Sequence, residues 1–166
     1  MLQPHEIFQK MPAETGLMLC QFLQANEKPL YKATIESLAQ AKKLRPVFIE
    51  RKPRAEQHRW LLDQLQRSLN SGLAAHLLQV WLVGAHKGLL CEFLDGFNIP
   101  HDENGTLESL PEAPPKDAVK KVVAQLCEKH GPSMVGIYLN AFQALDEQGW
   151  PSLAEVISEE PRLQLA

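Results

Sequence analysis

The sequence predicts an all-α fold: a compact bundle or array of about seven to eight short helices around a central apolar helix at 73–83. Three observations point there. Apolar residues recur at three- and four-residue intervals over most of the chain. Prolines and Asn/Ser/Gly clusters fall between the periodic stretches, where helices start and stop. Only RPVFIERKP reads as extended, and a single short run cannot form a sheet alone, so it is expected to be a packed connector or an extra helical turn. A chain of 166 residues with 45% hydrophobic content suits one domain, 1–166, with a real core.

The elements follow in order. PAETGLMLCQFLQAN opens on a proline suited to a first turn and carries Leu19, Phe22 and Leu23. PLYKATIESLAQAKKL presents Tyr31, Ile35 and Leu38, and Pro46 closes it. From Pro53, the residues Ala55, His58, Leu62, Leu65 and Leu69 form a helical stripe, with Asn70-Ser71-Gly72 as the stop. LAAHLLQVWLV is apolar almost all round, the mark of a helix enclosed by others. Gly84 breaks it and KGLLCEFLD resumes. Gly96 is expected to end that helix in the left-handed conformation, with Phe97 folding back as its apolar contact. Asn104-Gly105 is a turn dipeptide able to supply two positive φ values. Val119, Val122, Val123 and Leu126 line one further helix, and Met134, Tyr138, Ala141 and Leu145 another, with Val135 and Phe142 widening its stripe.

A hint of internal duplication, about 12–46 and 84–118, comes from LCQFL answering LCEFL and TIESL answering TLESL. Against it, TIESL continues as a helix whereas TLESL runs into PEAPP, which cannot be one.

Charge narrows the function classes. The net charge of −3 hides an asymmetry: residues 1–83 hold eleven Lys/Arg against seven Asp/Glu, and residues 84–166 six against thirteen. The dense basic patch is 42–59, in which Arg45, Arg51, Lys52, Arg54 and Arg59 are the candidate contact residues. The stretch 88–115 has no Lys or Arg, and there Asp102, Glu103, Glu108 and Glu112 are the candidate acidic contacts. Opposed patches of this kind attract each other, within one chain or between copies.

The chemistry-bearing side chains mostly read as structure. All three cysteines sit beside core leucines, and Cys20 and Cys91 have no cation within a turn to activate them. Cys127 and His130 share a helix face, yet a zinc site needs two further ligands and no CxxC or HxxxH pair supplies them. His130, before Gly131-Pro132, fits a last helical turn better. A calcium loop from Asp102 fails on spacing, since its glycine is fourth rather than sixth and Ala113 stands where a bidentate Glu belongs. No GxSxG, P-loop, GxGxxG or HExxH is present. No catalytic residue, metal or cofactor is therefore assigned.

The N-terminus lacks a cationic region followed by an apolar one, and the longest apolar run is too short to span a bilayer. A cytoplasmic protein without a membrane partner is expected. The leading expectation is a non-enzymatic protein–protein interaction or scaffold module that self-associates through 42–59 and 88–115. The first alternative is RNA or single-stranded DNA binding through 42–60, where cations flank Phe48, His58 and Trp60. The second is a small-molecule or enzyme pocket around His76, Gln79, Trp81 and His86.

Overall fold

The computed structural model describes residues 2–107, 109–144 and 149–165. The protein is 74% helical, and no strand occurs among the described residues. The α-helices are α1 Pro4–Lys10, α2 Ala13–Asn26, α3 Lys28–Ala41, α4 Pro46–Glu50, α5 Arg54–Leu65, α6 Ser71–Ala85, α7 Lys87–Asp95, α8 Lys116–His130, α9 Pro132–Gln143 and α10 Pro151–Glu159. A 3-10 turn, Ser68–Asn70, links α5 to α6, and another, Pro161–Leu163, follows α10.

Proline sets this segmentation. Every α-helix except α6 and α7 has a proline at its N-cap or in its first turn. There the missing N–H costs nothing and the fixed φ favours helix entry. The same ring prevents the preceding helix from continuing, so the helices stay short. RPVFIERKP follows this rule: Pro46 starts the helical turn α4. α1 and α10, neither of them expected as a helix from the sequence, raise the helix number among the described residues to ten, above the about seven to eight expected.

Helix ends differ from expectation in two places. Gly96 is right-handed, with φ −60° and ψ −22°. The left-handed residue is Asn98, φ 55°. The Ile99 N–H donates to Leu94 O at 3.1 Å and Asn98 N–H to Asp95 O at 3.0 Å, the paired bonds that close a helix end. Asn tolerates this conformation because its short polar side chain relieves the strain. Phe97 does fold back, its ring 5.2 Å from Phe93. Likewise α5 stops at Leu65, and Asn70-Ser71 begins α6 rather than ending α5. Leu69, read as part of the α5 stripe, is 79% exposed, and the buried face centres on His58, Leu61 and Leu65.

α2, α3, α4 and α5 pack as one group, and α7, α8, α9 and α10 as another, while α1 and α6 touch both. α6 buries Ala74, Leu77, Leu78, Trp81 and Leu82, each side chain worth roughly 1.5–3 kcal/mol for the larger aliphatics. Enclosure is one-sided, however: Ala75, His76 and Gln79 are exposed. α6 and α7 meet at 86°, and no single helix among the described residues is long and apolar enough to cross a membrane. The second group is built on aromatics. Phe93 lies edge-on to Tyr138 and Phe142 at 5.4 and 5.2 Å, and Phe142 to Trp150 at 4.9 Å. Each such pair adds about 0.5–1.5 kcal/mol to the area it buries. Trp150 is held by Gln143, which accepts from its backbone N–H at 2.7 Å and donates to its carbonyl at 2.9 Å. Of the repeated phrases, LCQFL and LCEFL both lie in helices, whereas the described residues of the second TIESL-like phrase lie outside any helix.

Candidate functional site

The basic face is assembled where α3 ends, α4 turns and α5 begins. α3 closes with Lys43 in the left-handed region, φ 58°, and Leu44 N–H donates to Ala39 O at 2.8 Å. That closure projects Lys42, Lys43, Leu44 and Arg45 to solvent. α4 is a single turn and cannot hold itself together. Ile49, 3% exposed, anchors it to the core, which leaves Phe48 on the opposite side at 58% exposure.

A buried glutamine finishes the anchor. Gln57 Nε2 donates to Glu50 O and Lys52 O, both at 2.9 Å, so it satisfies carbonyls at the end of α4 that have no helical partner. Its Oε1 accepts from the Tyr31 hydroxyl at 3.1 Å. Above Tyr31, the Arg54 guanidinium stands 6.0 Å from the ring centroid. The Tyr31 hydroxyl is pushed up, first by burial. Behind it lies His58, 3% exposed and edge-on to Tyr31 at 5.9 Å, its Nε2 without a hydrogen-bond partner. Burial, then the Arg54 charge, holds its imidazole below the usual histidine range.

Arg45, Arg51, Lys52, Arg54 and Arg59 are all exposed, and none forms an ion pair with a described residue. The ion pairs among the described residues lie elsewhere: His101 with Asp95, Lys116 with Glu159 and Glu155, Lys129 and His130 with Glu92, and Arg162 with Glu160. Two exposed apolar residues, Phe48 at 58% and Leu44 at 41%, sit within this cationic group.

The acidic stretch is only partly available. Asp102 organises its own loop: Oδ1 accepts from the Asn104 and Thr106 N–H groups at 3.0 Å, and Oδ2 from the Thr106 hydroxyl at 2.6 Å. These bonds, the Thr106 hydroxyl foremost, hold its carboxyl below the ordinary range. Glu103 and Glu112 are exposed, and Glu108 lies outside the described residues. His101 bridges the loop to α7, with Nε2 2.7 Å from Asp95 Oδ1 and Nδ1 2.5 Å from Asp102 O. Only the imidazolium donates from both nitrogens, so the Asp102 carbonyl and then the Asp95 carboxylate raise its pKa. Of Asn104-Gly105, only Gly105 takes a positive φ, +71°.

Of the residues expected around His76, only Trp81 and His86 come together. His76 and Gln79 lie on the exposed side of α6, while Trp81 is 1% exposed on the opposite side. His86 stacks edge-on to Trp81 at 4.8 Å, its pKa lowered by burial and then by His130. A cavity of about 150 Å³ does open beside Gln79, between α6, α9 and residues 105–107, and neither His76, Trp81 nor His86 lines it.

Comparison with known protein families, characterised proteins and solved structures finds no match. The site is therefore read from its own geometry. Among the described residues no three His, Cys, Asp or Glu side chains gather as metal ligands. His130 turns to Glu92 Oε2 at 2.8 Å, away from a zinc pairing with Cys127, which is 7% exposed. Burial pushes the Cys20 thiol up to about 12, far from a reactive thiolate. Sequence reasoning named the cations but missed Leu44, Gln57 and Tyr31. The available signal for the first was Lys-Lys-Leu-Arg, an apolar residue inside a cationic run just past a helix end.

Proposed function

We propose that the chain is a helical interaction module whose contact face is the Phe48-centred basic surface of α3, α4 and α5, and that it docks an acidic segment, including that of a second copy. One observation carries this reading: Phe48 and Leu44 are 58% and 41% exposed inside a group of cations that no described acid neutralises. An apolar centre with a charged rim is the usual anatomy of a protein interface. Glu103 and Glu112, exposed in the lysine-free stretch 88–115, are the complementary charges within this sequence.

The test is light scattering of wild type against the triple variant Arg51→Glu, Lys52→Glu, Arg54→Glu. Association of the wild type that weakens with added salt and vanishes in the variant is expected. A monomeric wild type at low salt removes self-association.

A second reading, single-stranded nucleic acid, draws on the same Phe48: an exposed ring between cations is a stacking platform for a base. Titration with a fluorescent oligonucleotide separates the two. Steep salt dependence favours nucleic acid, and no binding at low salt dismisses it.

A further inference from the structure

Among the described residues, no charged side chain lines the cavity of about 150 Å³ beside α6. Leu78, Leu82, Val83, Leu90, Leu107 and Phe142 are the large aliphatic and aromatic side chains of its wall, with Tyr138. The space opens to solvent beside the exposed Ala75 and Gln79, and an apolar cleft with a few polar groups is the usual form of a small-ligand site. A void of similar volume lined by aliphatic and aromatic residues admits benzene. Water is a poor occupant, because it needs two to four polar partners and the wall offers few.

The polar groups that do line it are Tyr138, Thr106 and Gln79. Tyr138 is 4% exposed, and its hydroxyl makes no hydrogen bond to a described residue. The Thr106 hydroxyl proton is already given to Asp102, which leaves only its lone pairs for a ligand. Gln79 is exposed at the rim. One side of the cavity is preformed: Asp102 pins the loop, and Gly105 is pressed so close to α7 that a Cβ there would stand 2.7 Å from Leu90 Cβ. A preformed wall spares a ligand the cost of ordering it.

We infer that this cavity is a binding site for a small, uncharged, largely apolar molecule about the size of one aromatic ring, whose single polar group meets the Tyr138 hydroxyl. The described wall offers no cation, so it disfavours anionic ligands such as carboxylates or phosphates, whose charge would be buried beside those residues without a partner. This site is independent of the basic face: they share no residue, and either stands if the other fails.

Calorimetric titration with benzene, phenol and benzoate tests it. Benzene and phenol bind the wild type, and benzoate binds at least about tenfold more weakly. Tyr138→Phe weakens phenol about fivefold and leaves benzene unchanged, which a merely structural role for the ring would not produce. Ala141→Leu fills the cavity from its α9 side and removes binding of both probes. Should that variant fail to fold, Val83→Phe fills it from the α6 side. Absence of benzene and phenol binding to the wild type overturns the inference, as does undiminished binding to a folded cavity-filled variant.

Discussion

Three glycines allow the packing of the 102–107 loop to be measured by alanine substitution. Gly88 lies in the first turn of α7 with nothing within 4 Å of an added Cβ. Gly131 has φ +86° and equally open space, so alanine there meets backbone strain alone. Gly105 has φ +71° and a Cβ position 2.7 Å from Leu90 Cβ and 3.0 Å from the Cys91 backbone nitrogen. Gly88→Ala should stabilise by about 0.4–1 kcal/mol, because the unfolded chain loses freedom and the helix loses nothing. Gly131→Ala should cost about 1–3 kcal/mol of backbone strain. Gly105→Ala adds an overpacking cost of about 1–3 kcal/mol to a similar strain, since the contacts are to a helix backbone that cannot yield. Urea unfolding resolves these differences: at about 2 kcal/mol/M, a loss of about 4 kcal/mol lowers the midpoint by roughly 2 M. If Gly105→Ala proves no more damaging than Gly131→Ala, the close seat of the loop on α7 is refuted, and with it the preformed wall of the cavity.

Gln57→Ala deprives the Glu50 and Lys52 carbonyls and the Tyr31 hydroxyl of their partner; it should cost about 1–3 kcal/mol, and tryptic cleavage after Arg51 should accelerate. Unchanged cleavage would show that α4 is held by Ile49 alone. Phe48→Ala should leave the unfolding free energy within about 0.5 kcal/mol of wild type, because the ring is exposed, while weakening association with the acidic partner. A large stability loss would place Phe48 in the core instead. Acidification acts on two histidines with opposite sign. The raised pKa of His101 gives a stabilisation complete below about pH 6.5 and lost as pH rises through the folded value, so His101→Asn should hurt most in acid. The lowered pKa of His58 gives a contribution present above about pH 6.5 and lost as pH falls through the folded value, so His58→Leu should flatten the acid side of the stability profile. Parallel pH responses of the two variants in urea titrations would contradict the geometry of one of them.

The all-α class was legible in the sequence because it rests on local rules. Proline position and three-to-four spacing act within a few residues, so α2, α3, α8 and α9 could be read directly from their stripes. The cations of 42–59 were legible for the same reason, since charge density is a property of the chain itself. The face of each helix that meets another was not. Leu69 continues the α5 stripe in sequence, yet α5 ends at Leu65 and the leucine is left in solvent. α6 reads as apolar all round, but its neighbours cover one side only, and the polar strip of Gly72, His76 and Gln79 marks the open side. Likewise, Gly96 carries the stronger left-handed preference, but it stays right-handed after α7 ends at Asp95 and Asn98 makes the left-handed turn, and Phe97 then packs on Phe93 and Trp150. Composition and local periodicity by themselves determined that this chain is helical and where its charge lies. Which residues are buried, that the burial of Ile49 leaves Phe48 outward among cations, and that a cavity forms between α6 and α9 were decided by tertiary packing, because the contacts between helices pair elements in a way no local rule encodes.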